Sequence, residues 1–160
     1  MRRFALLLIA LALAGCGGSA KESLTTTNEA APPGPGTTLY AGGDWAVQLD
    51  GNEATAYHRV AGSWKADRSG AVKIRILGPD GDVAPTPQVA AEFSAAKPLI
   101  ESGMWVDGTE LVAKGGGLTP TKGTLYGAPT TPLAKGTHVA VAYARTAAHA
   151  TAIAWTFRVV

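Results

Sequence analysis

The chain has 160 residues, 46% of them hydrophobic, with three histidines, one cysteine and a formal charge of +2. That length suffices for one domain with a sizeable core, and a single cysteine excludes an internal disulfide. Removing Arg2 and Arg3 leaves 12 Lys+Arg against 12 Asp+Glu from Cys16 onward, so no basic surplus points to nucleic acid.

Met1-Arg2-Arg3 gives a positive start, and Phe4 to Ala14 is an uncharged apolar run too short for a resident membrane span. The run closes on Leu13-Ala14-Gly15-Cys16, and Cys16 is the sole cysteine. This segment resembles the lipobox of bacterial lipoprotein signal peptides. The resemblance implies that residues 1–15 are a removable leader and that Cys16 carries a thioether-linked diacylglycerol. It further implies export and anchorage to the outer face of a bacterial membrane, at the cell surface or in the periplasm. Acyl chains hold such an anchor at about 0.8 kcal/mol per buried methylene.

Residues 16–38 carry few large apolar side chains: Gly17-Gly18-Ser19, Thr25-Thr26-Thr27, then Pro32-Pro33-Gly34-Pro35-Gly36. Such a stretch cannot bury enough surface to offset chain entropy, and is expected to be a disordered linker. Twenty flexible residues would hold a domain about 25 Å from the membrane on average.

From Leu39 the chain reads as short strands with turn punctuation. Trp45, Val47 and Leu49 alternate with Ala46 and Gln48, Asp50-Gly51-Asn52 is a hairpin signal, and Ala54 to Val60 answers it. Ala61-Gly62-Ser63 turns the chain into a short piece beginning at Trp64. Val72, Ile74 and Ile76 alternate with Lys73 and Arg75, and Gly78-Pro79-Asp80-Gly81 ends that strand. Val89, Ala91 and Phe93 form another alternating run. Ser94 to Ile100 is the only stretch open to a helix, and Pro98 opposes a long one. Met104-Trp105-Val106 and Thr109-Glu110-Leu111 flank the two-residue signal Asp107-Gly108, and Leu125-Tyr126 marks a further strand.

The last stretch has the clearest pattern. Val139, Val141 and Tyr143 share one face with Ala140 and Ala142 opposite; Thr151, Ile153, Trp155, Phe157 and Val159 share a face opposite Ala152, Ala154, Thr156 and Arg158. Alanine favours helix, but the bulky residues keep period 2 and are β-branched or aromatic, which argues for an antiparallel strand pair. The fold expected is all-β.

Val106-Asp107-Gly108, Tyr126, Pro132-Leu133, Gly136-Thr137-His138-Val139-Ala140-Val141 and Trp155-Thr156-Phe157-Arg158-Val159 together resemble the bacterial immunoglobulin-like domains of secreted and surface proteins. The resemblance implies an immunoglobulin-like antiparallel β-sandwich over residues 72–160, with the tryptophan and phenylalanine of the last strand in its core. Residues 39–71 have no counterpart in that pattern. They form an N-terminal β-hairpin or meander that either adds a sheet beside the sandwich or extends one of its sheets.

Little in the sequence carries chemistry. His58, His138 and His149 lack metal-ligand spacing, Asp80-Gly81-Asp82 lacks the later ligands of a calcium loop, and Gly115-Gly116-Gly117 has no following Lys-Ser/Thr. Ser63, Ser69 and Ser94 have no nucleophile-elbow setting. No cofactor or metal is called for, and no enzyme is expected. Aromatic side chains are the remaining resource for recognition. Trp105 lies between Met104 and Val106, so one face of its strand is expected to expose something large, and Trp64 sits beside Lys65 near a turn. Trp105 and Trp64 are therefore the candidate binding residues. The function expected is a lipid-anchored envelope binding or presentation module, whose partner is a cell-wall glycan or an envelope protein. An envelope enzyme with a site formed only in space, and a periplasmic metal carrier, are the alternatives.

Overall fold

The structure is a computed structural model describing residues 31–160. The leader, Cys16 and the first part of the linker lie outside the described residues. Described residues form thirteen strands in three sheets, and none forms a helix. The front sheet is the meander β1 (Thr37–Gly42), β2 (Trp45–Asp50), β3 (Glu53–Val60) and β4 (Ser63–Ala66), paired in that order. The back sheet has the order β10-β11-β7-β5, from β5 (Val72–Gly78), β7 (Val89–Ala95), β10 (Lys114–Thr119) and β11 (Lys122–Gly127). The central sheet has the order β6-β13-β12-β8-β9: β6 (Asp82–Val83), β8 (Glu101–Val106), β9 (Thr109–Glu110), β12 (Gly136–Arg145) and β13 (Ala150–Val159). All pairings are antiparallel except β6 with β13.

The expected C-terminal hairpin is present, with Ala140 opposite Trp155 and Ala142 opposite Ile153. Its two faces explain the layering. Ala140, Ala142 and Ala144 turn toward the back sheet and pack with Phe93, Val89, Met104, Val106 and Phe157. Val141 and Tyr143 turn the other way and pack with Tyr40, Trp45, Val47, Ala56 and Trp105 under the front sheet. The central sheet is thus covered on both faces, as its near-continuous apolar runs require. Each large side chain sealed in these layers contributes about 2 kcal/mol.

Residues 39–71 therefore add a sheet of their own rather than extending one of the sandwich's sheets. With Thr37 and Thr38 they make a sheet stacked on the second face of the central one. Its β3 presents Ala54 and Ala56 toward Ala150, Ala152 and Ala154 of β13. Those small facing residues let Cα atoms of β3 and β13 come within 8 Å, against the ~10 Å of ordinary stacked sheets.

Turn chemistry follows the sequence. Asp107 and Gly108 both take positive φ (48° and 80°), the conformation of a two-residue hairpin turn, and Gly51 turns β2 into β3 with φ 57°. Gly42 answers a packing demand instead: a Cβ there would stand 2.8 Å from Cζ of Tyr40.

Two expectations need correcting. The linker expected to be disordered through residue 38 is already ordered before that point. Pro32 is buried, its carbonyl accepts a 2.6 Å hydrogen bond from Gln48 Nε2, and Thr37–Thr38 already belong to β1. The buried amide of Gln48 needs an acceptor, and the incoming chain supplies it. The segment 94–100 is not helical either: Ser94 and Ala95 finish β7, and the amides of Leu99 and Ile100 donate to Pro120 and Arg145 carbonyls.

If close alanine packing sets the spacing of front and central sheets, Ala56→Leu overfills a site only 2% exposed. The expected result is a loss of about 1–3 kcal/mol, read as a lower urea midpoint with unchanged slope. An unchanged midpoint would show that the layers have room to spare.

Candidate functional site

Trp105 is 2% exposed. It lies on the side of the central sheet that faces the front sheet, beside Val141 and near Trp45 and Tyr143. It therefore offers no surface for recognition. The expectation failed on a physical point: a strand with large side chains on both faces need expose neither when a sheet covers each. Trp64 is half-buried on the solvent side of the front sheet, directly across from Arg59, whose guanidinium carbon is 5.9 Å from the indole centroid. The front sheet separates the two tryptophans. The histidines are also apart: His58 stacks on Trp45 at 4.0 Å with parallel rings, His138 opens β12, and His149 precedes β13. Among the described residues, no group of three or more His, Cys, Asp or Glu is arranged to hold a metal ion.

A polar cluster that sequence reasoning missed lies between front and central sheets. Glu101, at the start of β8, accepts from Tyr40 Oη at 2.6 Å and from Tyr143 Oη at 3.3 Å, and pairs with Arg145 Nε. The Arg145 guanidinium also lies 5.4 Å from the Trp45 ring centroid. Burial, reinforced by the neighbouring Glu101, pushes both tyrosine hydroxyls up, so they stay neutral donors at physiological pH. The cluster ties three sequence-distant elements together and carries no nucleophile or open acceptor. Glu101 and Arg145 are direct cross-strand partners, a charge pair that only the register of β8 on β12 reveals. Glu101→Ala strands Arg145, whose side chain is only 19% exposed, and should lower stability by about 3 kcal/mol. Glu101→Ala with Arg145→Met should lose less than the summed single effects in a double-mutant cycle; strict additivity would show that the pair is uncoupled.

A second pairing joins Asp107 and His138. His138 Nδ1 lies 2.6 Å from Asp107 Oδ2, and Nε2 lies 2.7 Å from the Ala134 carbonyl oxygen. A carbonyl and a carboxylate only accept, so the imidazolium, with a proton on each nitrogen, satisfies both contacts. Bonding to Asp107, then to the Ala134 carbonyl, holds the His138 pKa above its ordinary 6.5 despite opposing desolvation. Neither nitrogen is left to act as a base. A cleft of about 200 Å³ opens beside the pair, lined by Asp107, Glu110, Leu111, Val112, Thr130 and Leu133 among others. Because the folded pKa is raised, the stabilisation is complete below pH 6.5 and is lost as pH rises through the folded value. Urea midpoints should therefore fall as pH is raised above about 6.5, and Asp107→Asn, tolerant of the positive φ, should flatten that fall. An equal fall in the variant would place the pH sensitivity elsewhere.

The back sheet presents the third arrangement. By register, Lys73, Arg75, Glu92, Ser94, Lys114, Lys122, Thr124 and Tyr126 share its solvent face. Glu92 bridges Arg75 at 3.1 Å and Lys122 at 3.2 Å, and those hydrogen bonds hold its carboxyl below the ordinary value. The alternation with Val72, Ile74, Ala91 and Phe93 on the inner face forces these side chains outward. The face therefore carries four cations around one carboxylate on a broad twisted surface.

No protein-family model matches the chain, and no curated protein is significantly similar to it.

Proposed function

We propose that the chain is a lipid-anchored protein of the bacterial cell envelope, whose immunoglobulin-like sandwich works as a binding or presentation module. Support for the anchor is the apolar run ending in Leu13-Ala14-Gly15-Cys16, with no second cysteine to compete. Support for the immunoglobulin-like reading is strand order. Lettering β5, β7, β8, β10, β11, β12 and β13 as A to G turns the back sheet into D-E-B-A and the central sheet into C-F-G. Residues 37–66 are then an added layer on the face of the C-F-G sheet.

The observation that carries a binding role is the point where the tether arrives. The Pro32 carbonyl docks on Gln48, whose cross-strand neighbour Thr55 and the following Tyr57 and Arg59 lie on the solvent side of the front sheet. The anchored end thus enters on one outer face of a three-layer stack. The back-sheet face lies on the far side, about 20 Å away at ~10 Å per layer. An anchor entering on one side leaves the opposite face directed to whatever lies beyond the membrane.

Cys16→Ala should move the protein from the membrane fraction to the soluble or unprocessed one, and abolish partitioning into detergent. Retained detergent partitioning would sink the anchor. Reporter labels at Arg59→Cys and Lys122→Cys on the lipidated chain should differ in quenching by headgroup-located quenchers, with position 59 quenched more. The reverse order would overturn the outward display of the back sheet.

A further inference from the structure

We infer that the solvent face of the back sheet is a docking surface for an anionic glycan of the cell wall, a sugar polymer bearing repeated carboxylate or phosphate groups. The inference rests on the outward display proposed above, and adds the ligand class. Lys73 and Lys122 both pair with Ser94 from opposite sides, so they stand two strand spacings apart, about 10 Å. Lys114 pairs with Tyr126, four residues along β11 from Lys122, extending the line of cations to the β10 edge. The cations are spread over three strands. A ligand with charges spaced along a chain meets more of them than a single small anion does.

Two further features favour a sugar polymer. The Tyr126 ring lies against Gly116, close enough that a Cβ there would touch Cε1 at 3.4 Å. The glycine thus leaves an aromatic ring seated on the sheet among the cations, a surface on which a sugar ring can pack. Thr124 and Ser94 add hydroxyls on the same face. A bilayer is the less suited occupant, because Pro32, the point nearest the proposed anchor with a described contact, docks on the other outer face.

Glu92 gives the inference a signed test. Its carboxylate occupies Arg75 and Lys122, so it competes with any anionic ligand for both. The full chain in neutral detergent micelles would be titrated with polygalacturonate, with a phosphorylated mannan, with neutral dextran and with phosphatidylglycerol vesicles. Binding is read in solution, so a failed anchor would not move it. Saturable binding to either charged glycan, weakening with salt and absent for dextran, is expected; which charged glycan binds more tightly names the anionic group. Lys73→Glu with Lys122→Glu should weaken it by about tenfold or more, and Arg59→Glu on the front sheet should leave it unchanged. Glu92→Gln should tighten binding by roughly two- to fivefold, a gain that misfolding cannot mimic. Affinity unmoved by the back-sheet variants, or binding to vesicles but to neither charged glycan, would overturn the inference.

Discussion

The architecture depends on one constraint: β12 is apolar on both faces, so the sheet built around it cannot be left with a wet side. Ala140, Ala142 and Ala144 are fully buried against the back sheet, while Val141 and Tyr143 are buried against the front sheet. A two-layer sandwich would leave Val141, Tyr143 and Trp105 facing water, an exposed apolar patch. The N-terminal meander covers them, and its own inner residues, Trp45, Val47 and Ala56, are buried by the same contact. The added layer and the sandwich complete each other's cores.

Hydrophobic burial alone does not fix how a meander sits on a sheet, because apolar contact is non-directional. Polar contacts supply the direction. Glu101 reaches Tyr40 from below while holding Arg145 on its own sheet, and Asp67, just after β4, accepts from the Ala150 amide at 2.9 Å. Burial resists ionisation of Asp67, but the Ser69 and Ala150 amides outweigh it and hold the carboxyl below its ordinary value. Thr151 Oγ1 donates to the Val72 carbonyl at 2.8 Å, linking the central sheet to the start of the back sheet. Among the described residues no buried side-chain polar atom lacks a partner, so these links bring no uncompensated desolvation.

Much of this was legible where local rules act alone. Period-2 alternation located β2, β5, β7, β12 and β13, and Asp107-Gly108 named its own turn, because positive φ at both positions limits the residues that serve there. What escaped depends on partners distant in sequence. Trp105 was expected at the surface because a single strand does not reveal how many sheets will cover it. The β10 strand, Lys114–Thr119, was hidden by Gly115-Gly116-Gly117, which has almost no side chain from which to read a period. Glu101 was one scattered carboxylate until β8 lay against β12 with Arg145 opposite. The basic face was equally invisible: Lys73, Arg75, Lys114 and Lys122 belong to three strands, and only their register assembles them. Trp64 alone of the two candidate aromatics reaches the surface, beside Arg59.

The same layering leaves two outer sheet faces, and they are not equivalent. On the front sheet, Ala41, Ala46 and Gln48 are buried even though they point away from the core, and the Pro32 carbonyl caps Gln48. That face is partly spent on receiving the chain. The back-sheet face receives no strand or chain segment from the described residues, and two of its four cations, Arg75 and Lys122, pair with the single carboxylate of Glu92. Lysines on the edge strands β5 and β10 also deter sheet-to-sheet pairing, but Lys122 lies on the interior strand β11, where no edge needs protecting. An interior strand that carries an exposed cation beside a seated aromatic ring is what the proposed docking of a charged glycan calls for, on the face opposite the one where Pro32 meets Gln48.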